Sequence, residues 1–185
     1  MEGFHFGAQP WVYPQPVLII ASYGEDGTPD AMNAAWGDVA DSSRIAMYLS
    51  GGHKTVKNIL KRGAFTVSRG DAEHVAACDY VGIESGNSVP DKVARAGFHV
   101  TKSEHVDAPV IDELALECKL VSYDEETRLL TGEIVNVSVD ERALDENGKL
   151  AVEKLHVITF DYANHGYYVL GEKVASTFED SKKFK

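Results

Sequence analysis

From residue 17 onward, short apolar runs are separated by turn chemistry. Residues 17–23, Val-Leu-Ile-Ile-Ala-Ser-Tyr, form a largely apolar run that predicts a buried strand. Glu25-Asp26-Gly27-Thr28-Pro29 is a turn, and strand pattern resumes over 30–36, which predicts a hairpin. A third strand is expected at 45–50 and a fourth at 64–68. Between them Val56, Ile59 and Leu60 have helical spacing, and Gly63 suits the end of that helix. Residues 72–81 read as a helix, 82–90 as a loop, and 91–96 as a short helix ended by Gly97. Period two then takes over. Leu114, Leu116, Cys118 and Leu120 alternate with Ala115, Glu117 and Lys119, and Val135, Val137 and Val139 alternate with Asn136 and Ser138. This predicts two half-buried antiparallel strands, 114–123 and 129–139, joined by the Asp124-Glu125-Glu126-Thr127 turn. Late strands are expected at 157–160 and 167–170.

The expected fold class is therefore mainly β and antiparallel, with short helices. Strands in such a chain close into a barrel, because closure removes exposed edges. The regular strand–helix alternation of a doubly wound parallel sheet is missing. Residues 1–16 carry Phe4, Phe6, Trp11 and Tyr13 among prolines. A disordered tail is poor in aromatics, so this arm is expected to pack on the domain or on a second subunit.

The length of 185 residues suits one domain, 1–185, with a real core. A net charge of −11 disfavours nucleic acid and anionic membrane surfaces as partners. The basic residues of 57–62 and 182–185 read as a solvated helix face and a tail. Cys78 and Cys118 make no CxxC pair and fit buried, reduced thiols. The first residues show no signal-peptide pattern, and the apolar run at 17–21 is too short to span a bilayer, so a cytoplasmic location is expected.

Two segments carry candidate chemistry. The third strand runs into Ser50-Gly51-Gly52-His53-Lys54-Thr55, which opens the helix containing Asn58. Such a turn offers backbone N–H groups, two cations and a hydroxyl, which suits a phosphate. A cation at a helix N-terminus is unfavourable by about 0.3–1 kcal/mol unless an anion sits there. The ordinary alternative is a Gly-rich turn with an exposed lysine. A P-loop is excluded, because its two required glycines are replaced by His53 and Tyr48. Upstream, Asn33, Ala34, Ala35 and Trp36 offer small residues, a polar edge and an aromatic, which suits a flat heterocycle; Trp36 is equally readable as a core aromatic. Metal and hydrolase readings find no support in spacing. The histidines, His53 apart, read as surface or packing residues, and no Gly-x-Ser-x-Gly elbow is present.

The ordered series Pro16-Val-Leu-Ile-Ile-Ala-Ser-Tyr23, Ala31-Met-Asn-Ala-Ala-Trp36, Lys57-Asn58-Ile59, Asp79-Tyr-Val-Gly-Ile-Glu-Ser-Gly86, Asp91-Lys92, Asp107-Ala-Pro109, Leu116-Glu-Cys-Lys-Leu120, Gly132-Glu-Ile-Val135 and Tyr167-Tyr-Val-Leu-Gly-Glu172 resembles the flavin reductase-like FMN-binding family. Its flavoredoxin branch is the nearest. The resemblance implies an FMN-binding split β-barrel, a homodimer with flavin near the subunit interface. It also implies NADH or NADPH as donor, or a redox-protein partner in an electron carrier. Carried over by position, Asn33, Ala34, Ala35 and Trp36 line the isoalloxazine, with Phe160 near the ring. Ser50, His53, Lys54, Thr55 and Asn58 hold phosphate and ribityl groups, and Ser85 and Lys92 belong to the loop that closes on the phosphate. The chain departs from the family pattern at Asp30, where the family carries Asn, and at the Gly51-Gly52-His53 turn, where it carries Arg.

Overall fold

A computed structural model describes residues 3–178 and residue 182, so the expected basic tail at 182–185 falls mostly outside the described residues. In chain order the elements are β1 (Gln15–Pro16), β2 (Leu18–Tyr23), β3 (Pro29–Ala34), β4 (Gly37–Val39), β5 (Arg44–Tyr48), α1 (Lys54–Arg62) and β6 (Ala64–Arg69). They continue with α2 (Val75–Ile83), α3 (Lys92–Arg95), β7 (Val100–Lys102), β8 (Pro109–Ile111), β9 (Leu114–Tyr123), β10 (Leu129–Val139), β11 (Ile158–Asp161) and β12 (Gly166–Val169). Seven strands form one curled antiparallel sheet in the order β3-β2-β6-β9-β10-β5-β4. A second sheet, β1-β11-β12, and the β7-β8 hairpin lie beside it. The fold is a split β-barrel with short helices, as the pattern and the resemblance predict.

Two cores share the β2–β3 hairpin. Leu18, Ile20 and Met32 face the barrel interior, with Ile45, Met47, Phe65, Val67, Cys118 and Leu130 from other strands. Val56 and Ile59 of α1 enter the same core, whereas Leu60, expected on that face, is exposed. Val17, Ile19, Ala21 and Ala31 face the other way, against Cys78 and Val81 of α2, Val93 of α3 and Ile158 of β11. Strand β2 is thus covered on both sides, which accounts for its unbroken apolar run.

Helix α1 begins after an extended His53 and ends at Gly63, whose φ of 68° is left-handed and whose N–H reaches Ile59 O. Helix α2 starts three residues later than expected. Asp71 Oδ1 accepts the N–H groups of Glu73 and His74, so residues 72–74 form a capping turn instead. Gly82 and Ile83, expected in a loop, complete the helix.

The alternation of the long hairpin holds only in part. Leu116, Cys118 and Leu120 do pack on the barrel core, but Ala115 and Glu117 on the opposite face are buried as well. Glu117 is held by the Ser103 and Ser138 hydroxyls and by Asn136 Nδ2. A register shift between Ile134 and Asn136 places Asn136 and Ser138 over that carboxylate. It leaves Val135 and Val137, the apolar members of the expected half-buried alternation, exposed. Part of the N-terminal arm is tied down: β1 pairs with β11, and the Tyr13 hydroxyl donates to Asp161. Phe4 and Phe6 remain exposed, Phe6 edge-on to Trp11.

The basic helix face is largely matched within the chain. Lys61 pairs with Glu25, Arg62 with Asp107, and Lys57 donates to Asn87 Oδ1. Among the described residues no helix is long and apolar enough to cross a membrane.

Candidate functional site

Strand β3 leaves the barrel carrying Asn33 and Ala34, with Ala35 and Trp36 just beyond it. These four residues line a cavity of about 540 Å³ together with His53, Phe160, His165, Tyr167, Asp79, Gly82, Tyr48 and Leu49. Trp36 is 47% exposed, so it stands at the mouth and is not a core residue. Its backbone carbonyl accepts Tyr48 N–H at 2.8 Å, which fixes its height above β5. The far wall is aromatic. Phe160 meets Tyr167 at 5.6 Å and Tyr162 at 6.1 Å, and Tyr162 in turn meets Trp36 at 6.1 Å. The lining combines small Ala34 and Ala35 with the rings of Trp36, Phe160 and Tyr167 and with the polar side chains of Asn33, His53, Asp79 and His165.

Two side-chain hydrogen bonds tie these elements together. Asn33 Nδ2 donates to Cys78 O at 3.1 Å, and the Tyr167 hydroxyl donates to Asp79 Oδ1 at 2.8 Å. Burial and then that carboxylate push the Tyr167 hydroxyl up to about 12, so it stays protonated and can donate. Helix α2 comes this close because residue 82 is Gly: a Cβ there would lie 3.0 Å from Asn33 Cβ.

A second compartment of about 220 Å³ continues from the first, sharing Met32, Asn33, His53, Gly82 and Ile83 with it. It is lined further by Lys54 and Thr55 of α1, by Glu84, Ser85 and Gly86, and by Lys92 of α3. Lys92 is buried, with 3% of its surface exposed. Its ammonium donates to Val81 O at 3.0 Å and Glu84 O at 2.8 Å, so it ties the end of α2 to the loop that follows. Beneath it lies Asp30, also 3% exposed. Thr55 Oγ1 donates to Asp30 Oδ2 at 2.6 Å, while Asp30 Oδ1 has no hydrogen-bond partner and stands 3.9 Å from Lys92 Nζ.

Burial dominates the titration of this corner. It raises the Asp30 carboxyl above its ordinary value and lowers the Lys92 ammonium, in each case against the attraction of the other. Burial, then the nearby Lys92 charge, lowers His53 as well, which keeps its imidazole neutral at pH 7.

Ten of the twelve residues singled out in the sequence therefore line the two joined compartments: Asn33, Ala34, Ala35, Trp36, His53, Lys54, Thr55, Ser85, Lys92 and Phe160. Ser50 and Asn58 line neither. Ser50 Oγ accepts Gly52 N–H within the turn, and Asn58 is buried with its Nδ2 unpartnered. Sequence reasoning missed Tyr48, Asp79, His165 and Tyr167, which line the first compartment, and Tyr162, which bridges Phe160 and Trp36. Tyr167, within the Tyr167–Glu172 segment, was the visible signal for the far wall.

Away from the cleft, ligand-type atoms of Asp71, His74 and Asp112 lie within 4.8 Å of one another. His74 Nδ1 is 2.9 Å from Asp71 Oδ2, and burial, with Asp71 nearby, pushes the Asp112 carboxyl up to about 7. His74, read from the sequence as a surface or packing residue, is thus an i,i+3 partner of Asp71 at the helix start.

An aromatic-walled compartment that opens into a polar one holding Lys54 and Lys92, beside the barrel strands, is what the fold presents as its candidate site. Over residues 12–170 the chain matches the flavin reductase like domain, and it belongs to that family. No curated protein matches the sequence significantly. Among solved structures it is similar to a flavoredoxin of Desulfovibrio vulgaris (Miyazaki F), with 35% identity and a TM-score of 0.90 over 96% of this chain and 98% of that one. A flavoredoxin from Methanosarcina acetivorans shares the fold at 22% identity, with a TM-score of 0.87 over the full length of both chains. So does an FMN-binding domain of flavin reductase-like enzymes from Shewanella baltica, at 18% identity, with a TM-score of 0.77 over 88% of this chain and 89% of that one.

Proposed function

We propose that the protein binds FMN and works as an oxidoreductase of the flavin reductase type. The observation that carries this reading is the junction at Asn33, His53 and Gly82, where an aromatic-walled compartment meets a polar one lined by Lys54, Thr55 and Lys92. The isoalloxazine lies in the first, between Ala34–Ala35 and Phe160, and the phosphate lies in the second, against Lys54, Thr55 and the 84–86 loop. The bound flavin supplies the electron chemistry, and the side chains bind and orient it. Neutral His53 and the Asn33 side chain offer the ring's polar edge hydrogen-bonding groups, and the Tyr167 hydroxyl, whose proton goes to Asp79, offers a lone pair. NADH or NADPH is the proposed donor, reaching the ring from the mouth beside Trp36. A homodimer is proposed as well. Val39, Val121, Val135 and Val137 are exposed in the single chain and offer apolar side chains for a second copy to cover.

A second reading, an electron carrier serving another redox protein, is favoured by the 35% identity to a flavoredoxin. The experiment is uptake of FMN by the purified protein, followed by anaerobic and steady-state oxidation of NADH and NADPH. A yellow protein that turns over either donor supports the reductase. A yellow protein reduced only by a partner protein or dithionite supports the carrier. A protein that takes up no flavin overturns both.

Lys54→Ala is expected to weaken FMN binding by about 1.5–3 kcal/mol, the contribution of a charge-assisted contact. Riboflavin, which lacks the phosphate, is expected to bind the variant and the parent alike. Equal FMN affinity in titrations of the two proteins would remove Lys54 from the site.

A further inference from the structure

The phosphate corner contains a negative charge that an anion site does not need. Asp30 is buried directly behind Thr55 and Lys92, both of which line the polar compartment. One of its oxygens accepts Thr55 Oγ1, while the other, Oδ1, has no hydrogen-bond partner. That orphan oxygen is aimed at the loop expected to close on the phosphate: a Cβ on Gly86 would collide with it. Only the missing side chain of Gly86 lets the loop's backbone lie against the carboxylate. On its other side Asp30 lines a cavity of about 290 Å³ with Asp26, Thr28, Lys54, Asn87 and Pro90. Asp26, Thr28, Asn87 and Pro90 are exposed, so this cavity reaches the surface.

We propose that Asp30 sets how strongly this site prefers a phosphorylated flavin, by balancing Lys92 before the phosphate arrives and taking up one proton from solvent when the phosphate dianion enters. The proposal rests on the flavin reading given above. The charged groups facing Asp30 are few. Lys92 approaches from α3, Lys54 from the first turn of α1 with neutral His53 just before it, and Asp26 from the β2–β3 turn. Glu84, at the end of α2, shares the attraction of Lys92. A phosphate adds about 1.5–2 negative charges within this small set. Two anions at one buried site cannot both stay fully ionised, and the group already favoured as neutral by burial is the carboxyl. The proton goes to Oδ1, the oxygen without a partner, and the 290 Å³ cavity offers it a route that bypasses the bound phosphate. Once protonated, Asp30 releases Lys92 from its counter-ion, and the ammonium's field acts on the phosphate.

The sign follows from linkage. A proton taken up on binding makes FMN affinity rise as pH falls, by up to about tenfold per unit. The phosphate's own second ionisation, near pH 6, works in the opposite direction. Measurements therefore belong between about pH 6.5 and 9.

The test compares the full-length protein with Asp30→Asn, which keeps the size and the Thr55 contact but cannot ionise. FMN and riboflavin binding are followed by quenching of flavin fluorescence across that range. The expected result is FMN affinity about tenfold tighter in D30N near pH 8.5, a gap that narrows toward pH 6.5, and equal riboflavin affinity throughout. Calorimetry of the unaltered protein in two buffers of different ionisation enthalpy is expected to show proton uptake with FMN and none with riboflavin. This second measurement does not depend on the variant folding. Identical FMN affinities in the two proteins, or FMN binding without proton uptake, would overturn the role of Asp30 while leaving the flavin site intact. Failure of the unaltered protein to bind either flavin overturns the site itself.

Discussion

Replacing Lys92 by Met is expected to lower folding stability by about 3–5 kcal/mol, the range for removing one partner of a buried charge pair. Lys92 is 3% exposed and is the cation 3.9 Å from Asp30. Its loss strands a buried carboxylate and also frees the carbonyls of Val81 and Glu84 that its ammonium holds. The loss depends on pH in a defined direction. Asp30 has a folded-state pKa raised above its unfolded value. The folded variant therefore binds a proton that the unfolded chain does not, and its stability recovers as pH falls through the raised value. Urea unfolding at pH 8 and pH 5.5 measures this. The double variant Asp30→Asn, Lys92→Met removes the stranded charge and is expected to regain most of the loss at pH 8. A single-variant loss below about 1 kcal/mol would mean that the pair is not buried in solution as it is in the structure.

Phe65→Ala is expected to destabilise by a similar amount, about 3–5 kcal/mol, from lost burial and the cavity left behind. Phe65 is fully buried in the barrel core, in the same cluster as the α1 residues Val56 and Ile59 that follow the 50–55 turn. Its ring also rests on β10 where residue 132 is Gly, and a Cβ at 132 would collide with the ring tip. This gives an internal check. Gly132→Ala alone is expected to cost about 1–3 kcal/mol through overpacking. In the Phe65→Ala background the added methyl enters the vacated space and is expected to be neutral or stabilising. Strict additivity in a double-mutant cycle would show that the two positions do not touch.

The legible parts of this fold were those with local causes. Strand β2 announced itself by a run with no polar break, and α1 by its apolar spacing and Gly63. Other features come from pairings between distant segments. Strand β4 and the β7-β8 hairpin have strands of three residues, too short to show a period, and they exist because β5 and one another accept them. The exposure of Val135 and Val137 follows from one register shift, which no alternation displays. At the site, Asn33–Trp36 and His53–Thr55 were readable because each is a contiguous segment with its own chemistry. Asp79 was not, since its meaning depends on Tyr167, 88 positions away. Ser50 and Asn58 were read from the same turn and helix, but the turn folds Ser50 onto Gly52, and Asn58 points into the interior.

Strand β3 carries Asp30 near one end and Ala34 at the other. At about 3.3 Å per residue these positions are ~13 Å apart along an extended backbone that cannot stretch. On the flavin reading proposed above, one end would stand behind the phosphate and the other beside the ring. The strand would then act as a ruler for the ligand: a flavin whose linker between ring and anion is shorter or longer than this spacing would satisfy one end or the other, but not both. Length selection would in that case reside in the backbone of a single strand.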